Sequence, residues 1–159
     1  MCPHVIRLRG PWDYRPLART RLCPDGGTIE VAGPLPPPGQ IQMPADWGDS
    51  LGADFRGRVR YSRRFGRPTG LQAGQRIDLV VERVDAFGLV LLNGQSLGRV
   101  AAGQLGWRAD VTHRLAPRNE VAVEVELPEV PADSPPLVRP GRAGLPGGLI
   151  GEVRLEIFS

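Results

Sequence analysis

The sequence predicts an all-β fold, an antiparallel β-sandwich of the jelly-roll type, and three observations support this prediction. Several segments alternate apolar and polar residues with the period of two that is typical of a half-buried strand. No window shows the 3.6-residue period over two or more helical turns. The 159 residues include 21 Gly and 17 Pro, as expected for many turns between short strands. About eight strands without crossover helices exclude a parallel α/β sheet.

The clearest local structure lies in the middle of the chain. Residues 76–84 alternate in the manner of a half-buried strand, and residues 87–92 are almost continuously apolar. Asn93 and Gly94 follow, and this pair accepts the positive φ angles of a type I′ turn. The sequence therefore predicts a β-hairpin whose second strand is residues 96–100.

Two further strands are predicted near the end of the chain, at residues 119–127 and 153–157, because valine, leucine and isoleucine alternate there with charged residues. Residues 111–115 are expected to form at most a single turn. Weaker patterns predict strands at residues 5–9, 28–31, 40–43 and 58–65. Two segments rich in proline and glycine, 33–39 and 128–148, are expected to be irregular, and such loops are commonly functional or disordered.

Composition narrows the classes of function. The chain is long enough for one domain with a buried core and too short for two of ordinary size. All 20 basic residues are arginine, and they are mixed with 17 acidic residues, so there is no one-sided basic stripe of the kind that binds nucleic acid. No segment reaches the roughly 20 apolar residues of a membrane span, and the N-terminus lacks the apolar region of a secretory signal, so we expect a cytoplasmic protein. Cys2 and Cys23 are expected to be free thiols, although a pair between them stays open.

A succession of fragments resembles a known family. In order, these are Pro44-Ala45-Asp46-Trp47, residues 55–65, residues 76–86, Val90 to Gly98, Asp110 to Leu115, Asn119 to Val125 and Gly148 to Leu155. Together they resemble the N-terminal sugar-binding jelly-roll domain of family two glycoside hydrolases, the family of β-galactosidases and β-glucuronidases. The resemblance covers roughly residues 44–157 of a single domain, 1–159, and leaves residues 1–43 as an N-terminal extension with edge strands.

The resemblance implies a domain without chemistry of its own. In that family the two catalytic carboxylates lie in a separate (β/α)₈ barrel, which needs about 250 residues and is not encoded here. We therefore expect a noncatalytic carbohydrate-binding domain, with no cofactor. The alternatives are a structural module that packs on a separate glycoside hydrolase or another protein, and a small serine hydrolase. Exposed, concave aromatic residues would favour the first function, a flat apolar patch the second, and a strained serine close to a histidine the third.

The serine hydrolase alternative depends on one motif. Gly94-Gln95-Ser96-Leu97-Gly98 matches the G-x-S-x-G pattern, and Asp110 and His113 follow in the chain order of α/β-hydrolases. A nucleophile elbow, however, runs from a strand into a helix, whereas Ser96 follows a predicted hairpin turn. The sequence favours a hairpin at this position.

Other patterns of catalytic or metal-binding residues have simpler interpretations. Glu124 and Glu126, or Glu82 and Asp85, are spaced as catalytic carboxylates could be, but they are predicted on the solvated face of their strands. His113 has no second histidine or cysteine at ligand spacing, so no catalytic metal is predicted. A structural calcium ion held by loop carbonyls stays open.

Carbohydrate sites stack an aromatic ring on the sugar and surround it with polar side chains. The aromatic candidates are Trp12, Tyr14, Trp47 and Trp107. The ligand-binding residues predicted from the sequence are Asp46, Trp47, Trp107, Arg139 and Arg142. For Trp47 and Trp107 a place in the core is the alternative.

Four residues are expected to have structural roles. Asn93 and Gly94 form the hairpin turn, and Asp110 is expected to cap the turn that follows it. Arg63 interrupts an otherwise apolar row on its strand, and a buried guanidinium must be paired. We therefore predict that Arg63 contacts a carboxylate, such as Asp110 or Glu152.

Overall fold

The computed structural model describes residues 2–134 and 140–159, and in these ranges the chain is almost entirely β-structure. The one helix in this part, α1 (Gly48–Leu51), has a single turn and cannot span a bilayer. The strands are β1 (His4–Arg7), β2 (Trp12–Leu22), β3 (Thr28–Val31), β4 (Gly39–Ile41), β5 (Ala45–Asp46), β6 (Gly57–Gly66), β7 (Arg76–Val81), β8 (Phe87–Leu92), β9 (Gln95–Val100), β10 (Trp107–Asp110), β11 (Arg118–Leu127), β12 (Gly148–Leu149) and β13 (Val153–Phe158).

Two antiparallel sheets form a sandwich around one hydrophobic core, as the sequence predicts. The smaller sheet has the order β1-β13-β7-β10. The larger sheet has the order β3-β2-β6-β11-β8-β9, and β4 also pairs with β2. The short strands β5 and β12 pair with each other at one end of the sandwich. The largest fully buried side chains are Trp12, Trp47, Tyr61, Ile77, Leu79, Leu149 and Leu155.

The hairpin of β8 and β9 is held by its turn and by a side-chain bridge. Asn93 and Gly94 have φ angles of 51° and 81°, the positive values of a type I′ turn. The Asn93 side chain accepts a bond from the Glu120 amide (2.8 Å) and donates one to Asn119 Oδ1 (3.0 Å). The turn is therefore tied to the start of β11.

The strand β2 was not predicted, although it lies inside the larger sheet between β3 and β6. Its 11 residues include Pro16, which normally argues against a strand. The pairing with β6 shifts register between Pro16 and Ala18, so the proline lies at a bulge. Trp12, in the same strand, is fully buried, and its ring nitrogen donates to the Leu8 carbonyl (2.7 Å). Residues 2–43 thus contribute four strands and part of the core.

The outer face of the smaller sheet carries a connected network of ion pairs. Asp78 is 1% exposed, and its carboxylate contacts Arg76 (2.7 Å) and Arg108 (3.1 Å). Arg108 also reaches Glu156 (3.0 Å), which bonds Arg154 (2.9 Å). From Arg154 the network branches to Glu82 and to Glu152, and Glu152 bonds Arg7. At the other side, Arg76 lies near Asp110 (3.7 Å). It therefore links all four strands of this sheet.

Candidate functional site

The tryptophans predicted to contact a ligand lie in the core. Trp47 is fully buried and packs edge-on against Phe55, with ring centroids 5.5 Å apart. Trp107 is 8% exposed and Trp12 is fully buried. A ring in such a position has no free face for a sugar to stack on. The structure places the rings of Trp47 and Trp107 in the core, which is the alternative that the sequence left open for both residues.

Three of the predicted site residues lie in or beside one loop at the end of the sandwich, and the described part of this loop is residues 140–147. Asp46 pairs in β5 with Gly148 in β12, and the Trp47 amide donates to the Gly147 carbonyl (2.9 Å). Asp46 is exposed, and its Oδ1 accepts a bond from the Gly48 amide (2.9 Å). Arg142 lies in the loop itself.

The other two predicted ligand residues do not join this group in the described structure. Trp107 begins β10 in the smaller sheet, where it pairs with Val81. Arg139 lies outside the described residues.

A buried carboxylate that the sequence did not single out for this role holds the loop in place. Asp85 is 3% exposed, and its Oδ2 accepts a bond from Arg142 Nε (2.8 Å). Both of its carboxylate oxygens also lie 3.2 Å from the Arg142 backbone amide. The Asp85 backbone exchanges two hydrogen bonds with Gly148 (2.7 and 2.9 Å), and Arg142 Nη2 donates to the Pro146 carbonyl (3.1 Å). We call this arrangement the Asp85–Arg142 brace.

Close packing around the brace explains the glycine-rich sequence of the loop. A Cβ atom at Gly147 would lie 2.6 Å from the Asp85 carbonyl oxygen and 2.7 Å from Trp47 Cη2. A Cβ atom at Gly148 would lie 2.9 Å from the Asp46 Cα, and Gly148 also has a φ of 142°. Any larger residue at either position would displace the backbone of β5 or of Asp85.

A cleft of about 420 Å³ lies beside the braced loop, between its residues and the segment that follows β11. Leu127, Pro128 and Val130 supply apolar walls, and Leu145 from the loop is 46% exposed. Arg56 closes one side, with its Nη1 donating to the carbonyls of Ala53 (2.9 Å) and Phe55 (2.8 Å). The cleft therefore combines an apolar lining with a guanidinium group that is fixed in position.

The prediction for Arg63 is wrong. Asp110 lies beside Arg76 (3.7 Å), and Glu152 bonds Arg7 (2.9 Å), so neither carboxylate pairs with Arg63. Arg63 is half-buried, and its Nη1 lies 3.5 Å from the Pro11 carbonyl oxygen. The two carboxylates belong to the outer face of the smaller sheet, whereas Arg63 lies on β6 of the larger one. The neighbour of this guanidinium is a backbone carbonyl, and no sequence pattern indicates such a contact.

The Asp110 carboxylate accepts hydrogen bonds within the turn that follows β10. Its Oδ1 accepts hydrogen bonds from the hydroxyl and the backbone amide of Thr112. These bonds, together with the charges of Arg76 and His113, lower the pKa of Asp110 although partial burial opposes the shift.

The serine hydrolase arrangement is not assembled. Ser96 lies on β9 at the edge of the larger sheet, whereas Asp110 ends β10 in the smaller one. No hydrogen bond links Ser96 to His113 in the described structure, and β9 continues beyond Ser96 as a strand, where a nucleophile elbow would enter a helix.

The acidic residues that are spaced as a catalytic pair could be contact arginines in the structure. Glu124 bonds Arg60 (3.1 Å), and Glu126 lies near Arg58 (3.8 Å). Glu82 bonds Arg154 (2.8 Å), while Asp85 belongs to the brace. Within residues 2–134 and 140–159, no three His, Cys, Asp or Glu side chains are grouped as metal ligands would be.

The two antiparallel sheets define a β-sandwich of the jelly-roll, galactose-binding-like class. A family model described as the glycosyl hydrolase 2 galactose-binding domain-like family matches residues 55–134. The chain belongs to this family. Among curated protein sequences, none matches the chain.

Solved glycoside hydrolases contain a domain of the same fold. The β-glucuronidase of Bifidobacterium dentium, complexed with coumarin-3-O-glucuronide, is 29% identical with a TM-score of 0.69, over 98% of this chain and 30% of that chain. An FMN-binding β-glucuronidase of Faecalibacterium prausnitzii is 25% identical with a TM-score of 0.69, over 98% and 22% of the two chains. A putative β-galactosidase of Bacteroides fragilis, 18% identical with a TM-score of 0.63 over 99% and 23%, shares the fold. The chain spans less than a third of each of these proteins.

Proposed function

We propose that this chain is a noncatalytic accessory domain of a glycoside hydrolase, and that it packs beside the catalytic domain through the braced loop. The proposal rests on the arrangement of residues at the end of the sandwich that carries the braced loop. There Trp47 is buried, while Leu145 projects beside an apolar cleft from a loop held by Asp85 and Arg142. A rigid apolar projection next to a cleft is suited to docking on another protein surface, because little conformational entropy is lost on binding.

The size of the similar proteins supports this proposal. Each of the β-glucuronidases is more than three times as long as this chain, so the matched domain lies among further domains in those proteins. The chain matches only an accessory-type domain of the family, and the acidic side chains that could imitate a catalytic pair are engaged with arginines. Catalysis in the assembly would then belong to the partner domain.

The experiment mixes the purified chain with a separately produced catalytic domain of a family two glycoside hydrolase from the same organism and measures association by titration calorimetry. We expect a saturable complex, and Leu145→Asp is expected to weaken it about tenfold or more, because a charge would be buried at the contact. Leu105→Asp is the matched control, since Leu105 is also exposed (65%) but lies in the loop between β9 and β10.

Two results would contradict the proposal. One is a failure of the two purified domains to associate. The other is turnover of 4-nitrophenyl glycosides by the isolated chain, which would show that it is catalytic.

A further inference from the structure

The sequence contains two asparagines, Asn93 and Asn119, and the fold brings their side chains together. Asn93 Nδ2 donates to Asn119 Oδ1 (3.0 Å), and Asn93 Oδ1 accepts a bond from the Glu120 amide (2.8 Å). Asn119 is 4% exposed, and its side chain exchanges two hydrogen bonds with the backbone of Ala116, each 2.8 Å long. We call this arrangement the asparagine bridge. It engages both ends of the Asn93 side-chain amide.

The residue that follows Asn93 makes its side chain chemically reactive. Asparagine is thermally labile, and before glycine it loses ammonia most readily, because glycine has no Cβ to shield its backbone nitrogen. A Cβ atom at Gly94 would have nothing within 4 Å, and both turn residues are exposed to water. Asn119 precedes Glu120, whose side chain shields the corresponding nitrogen. Of the two asparagines, Asn93 is therefore the one suited to deamidation.

We propose that Asn93 is a site of spontaneous deamidation, that the folded hairpin keeps it unreactive, and that opening of the hairpin starts the reaction. The Gly94 nitrogen forms a bond to Asn93 Cγ, the Cγ–Nδ2 bond breaks, and the proton of the Gly94 nitrogen leaves with Nδ2 as ammonia. Water then opens the cyclic imide to aspartate or isoaspartate. Nothing is oxidised or reduced, and the only co-reactant is water. The inference does not depend on the proposed docking function.

The first argument is the backbone geometry of the turn. The imide ring closes only when the Gly94 nitrogen lies on the same side of the Asn93 Cα–C bond as Cβ, within reach of Cγ. The φ angles of 51° and 81° are those of a type I′ turn, in which the first central residue has a ψ of about +30°. This ψ places the Gly94 nitrogen near the Asn93 backbone nitrogen and away from Cβ. The reaction therefore requires the turn to open.

The second argument is the asparagine bridge. Nδ2, which is the leaving group, is bonded to Asn119, and Oδ1 is bonded to the Glu120 amide. Rotation of the Asn93 side chain toward the Gly94 nitrogen would break both bonds and leave those groups without their partners. Because Asn93 is exposed, its protection comes from conformation and not from burial. The rate of deamidation should therefore follow the local opening of the hairpin.

The products do not fit the closed hairpin. An aspartate at position 93 would turn a carboxylate oxygen, which only accepts, toward the Asn119 oxygen that accepted from Nδ2. An isoaspartate would lengthen the main chain of a turn whose ends are fixed by the pairing of Leu92 with Gln95. Either product weakens the link between the hairpin and β11. Deamidation is therefore a one-way change, after which the hairpin opens more often.

The test is peptide mapping by mass spectrometry, which follows the conversion of Asn93 at mildly alkaline pH in the folded chain and in concentrated urea. We expect conversion to be at least about tenfold slower in the folded chain, because only the open fraction reacts. Asn119 should stay unmodified over the same period. Gly94→Ala is measured in urea, where strain in the turn has no influence, and should react about tenfold more slowly because the added Cβ shields the nitrogen.

A variant of the bridge tests its part in the protection. Asn119→Ala removes the acceptor of Nδ2 and should speed conversion in the folded chain about tenfold. Gln95→Ala is the matched control, since Gln95 is exposed and adjoins the turn but lies outside the bridge. Because Asn119 is buried, the parent chain supplies a second measurement. In urea below the unfolding transition, hydrogen exchange at the Glu120 amide and conversion of Asn93 should rise together.

Five results would overturn the proposal. The first two are equal rates in the folded chain and in urea, and a Gly94→Ala rate in urea equal to that of the parent. The third is an unchanged rate in folded Asn119→Ala. The fourth is conversion that stays constant while exchange at the Glu120 amide accelerates. The last is unchanged exchange at that amide in Asn93→Asp, which would show that the product fits the closed hairpin.

Discussion

The outer faces of the two sheets both carry arginines and acidic residues, yet they pair them differently. On the smaller sheet, Arg108 bridges two carboxylates, Asp78 and Glu156, at 3.1 and 3.0 Å. On the larger sheet, Arg58 is separated from Glu126 by 3.8 Å, and one oxygen of Glu126 is buried without a hydrogen-bond partner in the described parts of the chain. The difference shows that the number of charged residues on a face does not determine how they are paired. A face whose charges satisfy one another is held together by its ion pairs, whereas a buried carboxylate oxygen without a partner is a cost to the fold.

The largest effect is expected from breaking the network of the smaller sheet. Arg108→Ala would leave both Asp78 and Glu156, which are buried, with one arginine fewer. We expect the free energy of unfolding to fall by about 3 kcal/mol, because buried carboxylates that lose a partner are costly. Urea denaturation would measure it. Arg21→Ala removes a pair in which both side chains are about half exposed and should cost about 0.5 kcal/mol or less. Equal losses in the two variants would contradict the comparison.

A second prediction concerns a buried carboxylate that depends on a single arginine. Asp85→Asn would replace one acceptor of the Asp85–Arg142 brace by an amide that donates. We expect a loss of about 2 kcal/mol, together with faster hydrogen exchange at the Gly148 amide, which bonds the Asp85 carbonyl (2.7 Å). Asp46→Asn is the control, because asparagine can also accept the bond from Gly48. Unchanged exchange at Gly148 would show that the brace does not hold the loop.

A smaller effect is expected on the larger sheet, where the ion pairs are separate. The coupling between Arg60 and Glu124, measured by a double-mutant cycle of alanine variants, should be about 0.5 kcal/mol, because both side chains are partly exposed. The same cycle applied to Arg108 and Glu156 should give a larger value. A coupling at Arg60 that equals the one at Arg108 would remove the distinction between the two faces.

The smallest effect is expected for Asp110, which lies at the exposed end of the ion-pair network on the smaller sheet. The Thr112 hydroxyl and amide bonds lower the pKa of Asp110, so this group stabilises the fold above the ordinary aspartate pKa of about 3.9, and the contribution disappears as the pH falls through the lowered value. Thr112→Val would remove the hydroxyl bond and raise the pKa toward the ordinary range. Thr112→Ser should keep it low. Carboxyl ¹³C titration distinguishes the two variants, and an unchanged pKa in Thr112→Val would contradict the assignment.

The fold could be predicted from the sequence where side chains alternate without interruption, as in β7, β11 and β13. It could not be predicted for β2, because Pro16 and the adjacent bulge break the alternation, and the sheet pairing that tolerates them is not local. The short strand β10 was missed for a related reason, since its four residues are too few to show a period.

The candidate site was less predictable than the fold. A tryptophan in a loop sequence can face a ligand or the core, and only the packing of Trp47 against Phe55 decides between them. The brace joins residues 57 positions apart, so no local pattern reveals it. One signal was available: Asp85 stands between Val84 and Ala86, and an acidic residue with apolar neighbours on both sides is a candidate for a buried, paired carboxylate.

The absence of lysine from the sequence has a consequence for the network on the smaller sheet. Its positive members are all arginines, which keep their proton far above neutral pH, so the carboxylates are the only members that change charge. Acid can dismantle the network, whereas alkali cannot reach it until arginine itself begins to titrate. This face of the domain is thus built to tolerate alkaline conditions, with its sensitivity to pH on the acidic side alone.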